Sequence, residues 1–168
     1  MQTAEHGLHS TWTWFFHKTG GDGYKSALVP VQTFQTVESF WRLKNNIPPF
    51  HKAFCKHAAL RVQGSIVTGA SVFRDDITPE WEHASNLNGV IMECKGPLEA
   101  KVVDDIFLNI LLKLVGNTAP LSCNGVRVVH KSGRKSFYKI ELWFQQGSTT
   151  DERAFGNAKG VVFQRAHA

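Results

Sequence analysis

Cysteine, methionine and tyrosine are scarce in this chain of 168 residues, with three, two and two copies respectively. The cysteines, Cys55, Cys94 and Cys123, form no CxxC pair and no His/Cys cluster with metal-ligand spacing. An odd number of scattered thiols is typical of a reducing, intracellular compartment and argues against a disulfide scaffold or a zinc site. No apolar run is long enough to span a membrane, and the polar N-terminus does not resemble a signal peptide. We therefore expect a cytoplasmic protein, with the nucleus as the alternative, and no cofactor, metal or membrane partner.

Aromatic residues are abundant instead, with five tryptophans and twelve phenylalanines. A hydrophobic content of 42% and a charged content of 20% suit a globular protein. The formal net charge of +5 and the pI near 9.2 are compatible with an acidic ligand, such as a phosphorylated nucleotide or RNA. The length predicts a single domain over residues 1–168, with a flexible N-terminal arm at residues 1–10 and an irregular insertion at residues 48–70.

Local patterns predict both strands and helices along the chain. The predicted strands lie at residues 12–16, 27–34, 89–94, 125–131 and 137–144. Thr36 is expected to cap a helix, on which Phe40 faces the core and Trp41 faces outward. A second helix is predicted at residues 98–115, between Pro97 and Gly116, and a third at about residues 151–165.

The predicted helix at residues 98–115 is apolar on two faces. One broad stripe suits the core, and it consists of Val103, Ile106, Phe107, Ile110, Leu111 and Leu114. Leu108, Leu112 and Val115 form a second stripe that is rotated away from the first. Such a helix either lies fully inside the protein or binds a partner with its second face.

The predicted strand at residues 137–144 separates two kinds of side chain. Lys139, Glu141 and Trp143 face one way, and the intervening apolar residues face the other. Arg127 and Lys131 alternate in the same manner on the preceding strand. A tryptophan that shares an exposed face with lysines is a reasonable platform for a nucleotide.

Trp81 and Glu82 are adjacent, just after Pro79, and this pair predicts a purine site. An indole stacks on a base, and a carboxylate accepts hydrogen bonds from the Watson–Crick edge of guanine. Methylation at N7 gives guanine a delocalised positive charge, so the pair would favour the methylated base. The alternative is a buried tryptophan beside a solvated acid.

Five segments in order resemble the eukaryotic translation initiation factor 4E family, whose members bind the mRNA 5′ cap. They lie at residues 5–16, 36–41, 77–82, 111–116 and 139–143. The resemblance covers roughly residues 5–165 and implies an α+β fold. In that fold a curved antiparallel β-sheet is backed on its convex face by about three α-helices, with the cap slot on the concave face.

The resemblance also implies a set of cap-binding residues. Trp81 and Tyr24 would sandwich the methylated guanine, with Tyr24 where the family usually has tryptophan; Tyr24 as an incidental loop residue is the alternative. Glu82 would accept hydrogen bonds from the base, Trp143 would lie against the N7-methyl group, and Lys139 would contact the phosphates. The second phosphate residue is Lys131, where the family usually has arginine. Arg134 and Lys135 either support it or are simply solvated.

On the convex face, the resemblance implies a partner site for a helix that carries a tyrosine and a downstream leucine. The expected partner is a scaffold protein of the initiation factor 4G type or a 4E-binding regulator. Gly7 replaces the family's proline, and Asn109 stands where the family usually has a glutamate. The matching residues are His6, Gly7, Leu8, Val37, Trp41, Leu108, Asn109, Leu112 and Val115.

The sequence therefore predicts a non-enzymatic protein that binds the 7-methylguanosine cap of mRNA, or a further methylated cap, and bridges it to a scaffold. One alternative is a cap-deficient adaptor or repressor that acts through Trp41 and its neighbours. Another is a hydrolase, which would need an acidic cluster for Mg²⁺ that the separated pairs at residues 75–76 and 104–105 do not supply. The segment at residues 47–73 is longer than the family norm, and the family's final strand is expected to be missing.

Overall fold

An eight-stranded antiparallel sheet organises the chain in the computed structural model, which describes residues 4–20, 22–54, 59–131, 137–148, 155 and 162–165. The order across the sheet is β2-β1-β4-β6-β7-β5-β8, and β3 pairs with β4 off this path. The strands are β1 (Gly7–Lys18), β2 (Leu28–Thr36), β3 (Arg61–Val62), β4 (Ser65–Arg74), β5 (Val90–Gly96), β6 (Cys123–Lys131), β7 (Phe137–Phe144) and β8 (Gln164–Arg165). The helices are α1 (Tyr24–Ala27), α2 (Val37–Asn46), α3 (Phe50–Ala53) and α4 (Ala100–Val115). The α+β architecture expected from the sequence is confirmed.

The main core lies between the sheet and the long helix α4. The predicted core stripe of α4 is buried there together with the apolar residues of β7 that alternate with Lys139, Glu141 and Trp143. We call this side of the sheet the helix-covered face and the other side the open face. Val115, predicted for the second stripe of α4, is also buried, which fits the first of the two alternatives for that stripe, and its role in a partner site stays a prediction. In the last turn of α4, Leu114 and Val115 are buried, whereas Leu112 is exposed.

Thr36 caps the start of helix α2, as predicted. The Thr36 hydroxyl accepts a hydrogen bond from the backbone N–H of Ser39, and the Ser39 hydroxyl accepts from the backbone N–H of Thr36. This reciprocal capping box satisfies N–H groups that a helix start leaves unpaired. It fixes the direction in which the exposed side chains of α2 project.

The region predicted to be irregular, residues 48–70, is partly regular. Asp104 of α4 accepts hydrogen bonds from the backbone N–H of Phe50 and from Nδ1 of His51, which anchors the short helix α3. Residues 65–70 belong to β4, a central strand between β1 and β6. Sequence alternation misses this strand because residues 69–73 are all buried, so both faces are covered, and because the strand contains small and polar residues. Residues 7–10, predicted as part of a flexible arm, belong to β1.

The end of the chain departs from the predicted helix at residues 151–165. Most of that segment lies outside the described residues, but Gln164 and Arg165 form β8 and pair with Glu93 and Met92 of β5. The chain therefore adds a strand after β7, contrary to the expectation that a final strand is missing. A two-residue strand carries too little periodicity to be found in the sequence. None of the described helices is long and apolar enough to cross a membrane.

Candidate functional site

A small apolar cluster occupies one end of the open face. Its members are Phe15, Phe73, Ile77, Ile91 and Trp143. Gly125 makes the cluster possible, because a Cβ at that position would meet the carbonyl oxygen of Val72 and lie 2.6 Å from Cγ of Phe73. The ring of Phe73 therefore packs over a bare backbone and contacts Trp143 edge-on, at 5.6 Å between centroids.

The loop between β4 and β5 carries Trp81 and Glu82, and a buried amide holds it. Asn86 is 2% exposed, and its Nδ2 donates to the carbonyl oxygens of Thr78 and Glu80, both at 2.8 Å. Its Oδ1 accepts from Nδ2 of Asn124 at 2.9 Å. Since Asn124 belongs to β6, these bonds tie the loop to the sheet and set where Trp81 can lie.

Trp81 leans on Trp143. Their ring centroids are 4.6 Å apart and their planes are tilted by 34°. Trp81 remains 52% exposed, whereas Trp143 is only 2% exposed. Trp143 was predicted to be exposed, and this is wrong, because the rings of Trp81 and Phe73 cover it. The predicted side of the sheet is correct.

A cavity of about 570 Å³ opens beside Trp81. It lies between the β4–β5 loop and the segment just before and within α1. The residues that line it are Asp22, Gly23, Lys25, Glu80, Trp81, Glu82 and Arg127. Across its mouth, Nζ of Lys25 lies 4.0 Å from Oε1 of Glu80. An aromatic ring, carboxylates and cations thus share one opening of nucleotide size.

Lys139 and Arg127 lie on the open face in contact with acids. Nζ of Lys139 is 2.5 Å from Glu141 and 3.3 Å from Glu93, and Nη1 of Arg127 is 3.2 Å from Glu141. Burial alone would lower the pKa of Lys139, but the hydrogen bonds and charges of Glu141 and Glu93 raise the pKa overall. Lys139 therefore stays charged.

Of the four other residues predicted to bind the cap, two lie within the described part of the structure. Tyr24 is the first residue of α1, directly between the cavity-lining Gly23 and Lys25. Lys131 ends β6 and is exposed. Arg134 and Lys135 lie outside the described residues, so their roles stay predictions.

Sequence reasoning missed Glu93, Glu80 and Lys25, and it gave no role to Glu141. Glu141 could have been found, because it alternates with Lys139 and Trp143 on one strand. Glu93 joins it only through the register of β5 with β7. Among the described residues, no group of three or more His, Cys, Asp or Glu side chains is arranged to hold a metal ion.

On the helix-covered side, an apolar surface is left open by α2 and α4. Val37, Trp41 and Leu112 are 39%, 39% and 41% exposed. Leu108 is partly buried and Asn109 is exposed. The prediction that Trp41 lies at the surface is confirmed, since Phe40 supplies the core contact and Trp41 meets it edge-on.

The N-terminal entry to this surface is tied to α2. Nδ1 and the backbone N–H of His6 contact the Glu38 carboxylate at 2.7 and 2.9 Å, and the carbonyl of His6 accepts from the N–H of Val37. The hydrogen bond from the His6 ring and that from its backbone lower the pKa of Glu38 to about 2. Gly7 pairs with Thr36, and Leu8 packs against the core.

The architecture defines an α+β protein whose open sheet has helices on one face and an aromatic, charged cavity on the other. Residues 7–159 match the family model described as "Eukaryotic initiation factor 4E". The chain belongs to this family. It is 31% identical to eukaryotic translation initiation factor 4E of Saccharomyces cerevisiae over 143 residues, which are 83% of this chain and 62% of that protein. It is 32% identical to initiation factor 4E-1 of Caenorhabditis elegans over 144 residues, or 81% and 60% of the two chains.

The chain thus spans about three fifths of the length of these relatives. Solved structures share its fold. One is C. elegans eIF4E-3 in a complex with the 4E-binding protein Mextli and a cap analog, with a TM-score of 0.68, 24% identity, and coverage of 86% of this chain and 76% of that chain. Another is Ascaris suum eIF4E-3 with an m2,2,7G cap, with a TM-score of 0.66, 23% identity, and coverage of 85% and 75%.

Proposed function

We propose that this chain binds the 7-methylguanosine cap of mRNA on the open face of its sheet. A scaffold protein binds the helix-covered side, so that the chain acts as a non-enzymatic bridge in translation initiation or its regulation, in the cytoplasm. The observation that carries the proposal is the Trp81–Glu82 pair, which lines a cavity of about 570 Å³ that Arg127 also lines.

Trp81 supplies the stacking surface for the base. Trp143 covers part of the indole, and the exposed remainder borders the cavity. A positively charged base is attracted to an indole face more strongly than a neutral one, so methylation at N7 should raise affinity. Tyr24, at the start of α1, is the proposed second stacking residue, and Trp143 the residue nearest the methyl group.

Glu82 provides base selectivity. Its carboxylate is exposed at the cavity and can accept from both N–H donors of the guanine Watson–Crick edge. Adenine has a ring acceptor where guanine has the N1–H, so the carboxylate would face an acceptor and lose a partner. The cations Arg127, Lys139 and Lys131 are the proposed phosphate contacts, with Arg134 and Lys135 beyond them.

The partner site consists of Val37, Trp41 and Leu112, with Leu108 and Asn109 beside them. Val37 and Trp41 are four residues apart on α2 and therefore share one face of that helix. Exposed tryptophans of this kind are common anchors in protein interfaces. A solved structure with the same fold contains both a 4E-binding protein and a cap analog, which supports the proposal that this chain binds both kinds of partner.

A tryptophan-fluorescence titration with 7-methyl-GTP and unmethylated GTP tests the cap proposal. We expect at least a tenfold preference for the methylated nucleotide and its loss in Trp81→Ala, since base stacking contributes about 1–3 kcal/mol. Leu87→Ala is the matched control, because Leu87 is an exposed apolar residue of the same loop that does not line the cavity. Equal affinities for the two nucleotides would reject cap recognition.

A second candidate function is a cap-deficient adaptor that acts through Trp41. Two observations favour it: Trp81 is packed against Trp143, and Lys139 is paired with two glutamates. Equal nucleotide affinities together with binding of a partner helix, lost in Trp41→Ala, would establish this alternative.

A further inference from the structure

Five charged residues form a row on the open face, across β5, β7 and β6. The register places Glu93 opposite Glu141, Lys95 opposite Lys139, and Arg127 opposite Glu141. We call these five residues the charged row. Three cations and two carboxylates leave it with one net positive charge, although it lies where phosphates would be bound.

The row is continuous in its ion pairs. Oε1 of Glu93 is 2.7 Å from Nζ of Lys95, and its Oε2 is 3.3 Å from Nζ of Lys139. Oε1 of Glu141 is 2.5 Å from the same Lys139 ammonium, and its Oε2 is 3.2 Å from Nη1 of Arg127. Lys139 and Arg127 therefore already have acidic partners within the protein.

The carboxylates lie deeper than the cations. The side chains of Glu141 and Glu93 are 3% and 11% exposed, whereas those of Arg127 and Lys139 are 19% and 27% exposed. Glu141 also accepts a hydrogen bond from Nε1 of the buried Trp143 at 3.2 Å. It cannot turn away from an arriving phosphate without leaving that donor unpaired, so its negative charge stays beneath the site.

A phosphate that meets Lys139 or Arg127 therefore also approaches fixed carboxylates. Charges of the same sign a few ångströms apart repel strongly where burial keeps water away. The phosphate must moreover share ammonium and guanidinium donors that are already engaged. Both effects reduce the affinity that each phosphate adds.

We propose that Glu141 and Glu93 are specificity-determining residues that hold Lys139 and Arg127 in internal ion pairs and so reduce the affinity gained from 5′ phosphates. Recognition then depends mainly on the methylated base. The inference rests on the proposed function and names the part of the cap that dominates binding.

The test compares 7-methylguanosine with 7-methyl-GTP as ligands of the wild type and of Glu141→Gln. Glutamine keeps the size of the side chain and an oxygen for the Trp143 N–H, but it removes the charge. The affinity ratio of triphosphate to nucleoside should rise about tenfold in this variant, a change of ~1.4 kcal/mol, with little change for the nucleoside. If Glu141 mainly positions Lys139, the ratio should fall instead.

Two further variants make the result decisive. Glu93→Gln removes the other, less buried carboxylate and is measured in parallel, because replacement of the buried Glu141 can impair folding. Glu99→Gln is the charge-matched control, since Glu99 is exposed at the start of α4 and makes no side-chain capping bond. Its ratio should equal that of the wild type.

A higher ratio of 7-methyl-GTP affinity to 7-methylguanosine affinity in Glu141→Gln or Glu93→Gln, but not in Glu99→Gln, supports the proposal. An unchanged or lowered ratio in both, with a retained preference for 7-methylguanosine over guanosine, overturns the inference and leaves the proposed function standing. Absence of any preference for the methylated nucleoside in all four proteins overturns the proposed function and this inference with it.

Discussion

Replacing Asn86 by alanine is predicted to release the loop that carries Trp81 and Glu82. The Asn86 amide makes three side-chain hydrogen bonds in a buried setting, to the carbonyls of Thr78 and Glu80 and from the amide of Asn124. Alanine removes all three and leaves the partners without this contact. The loop then loses one of its two described hydrogen bonds to Asn124 of β6 and keeps the other, which the carbonyl oxygen of Ser85 accepts.

The expected cost follows from the number and burial of these bonds. A buried intramolecular hydrogen bond contributes about 1 kcal/mol net, so three bonds give ~3 kcal/mol. Water that enters the site can recover part of this, which sets the expected range at about 2–4 kcal/mol. A loop that is in place for only a tenth of the time weakens binding about tenfold, without any change to the residues that touch the ligand.

Urea unfolding and a 7-methyl-GTP titration measure the two consequences separately. Asn45→Ala is the control, because Asn45 is an exposed asparagine on α2, away from the cavity. We expect this control to resemble the wild type in both assays. An Asn86→Ala protein within about 0.5 kcal/mol of the wild type, with unchanged affinity, would show that other contacts hold the loop.

Three further predictions concern the sheet and the partner surface. Burial, and then the charge of Arg127, lower the pKa of His17 to about 3, so below pH 6.5 the folded state binds fewer protons than the unfolded state and stability falls as the pH is lowered. When the pH is lowered from 7.5 to 5, the free energy of unfolding in urea should decrease by about 2 kcal/mol more in the wild type than in His17→Gln. Gly125→Ala should cost about 1–3 kcal/mol and weaken ligand binding, because its Cβ collides with Phe73, and normal stability would contradict the packing argument. Trp41→Ala should abolish binding of an amphipathic helical peptide with a tyrosine and a downstream leucine, while the affinity for 7-methyl-GTP is retained. If this variant lost affinity for both the peptide and the nucleotide, the proposal that they bind to separate surfaces would be refuted.

Much of the candidate site was predictable because its signals are local. Trp81 and Glu82 are neighbours in the chain, and their chemistry is legible without a fold. The alternation on β7 placed Lys139 and Trp143 on the same side of the sheet, and that placement is confirmed. The burial of Trp143 was not predictable, because it depends on Trp81 and Phe73, which come from other parts of the chain.

Among the helices and strands, too, those with local sequence signals were predicted and those defined by distant pairing were missed. The capped helix α2 and the strongly apolar helix α4 were legible because helix periodicity and capping act within a few residues. Strand β4 and the short β8 were missed, since a strand that is buried on both faces shows little alternation and a two-residue strand shows none. Pairing partners, which define such strands, are distant in sequence.

By itself, the order of residues decided the family, the helices with clear caps, and the aromatic–acidic pair that suggests a methylated purine. Only the tertiary structure decided that Glu93 and Glu141 meet Lys139, and that Glu141 also meets Arg127, because these contacts depend on the registers of three strands. It also decided that Asn86 and Asn124 hold the loop from beneath. Side chains far apart in the chain acquire their charges, burial and partners from packing, and those properties set how tightly a site with recognisable residues can bind.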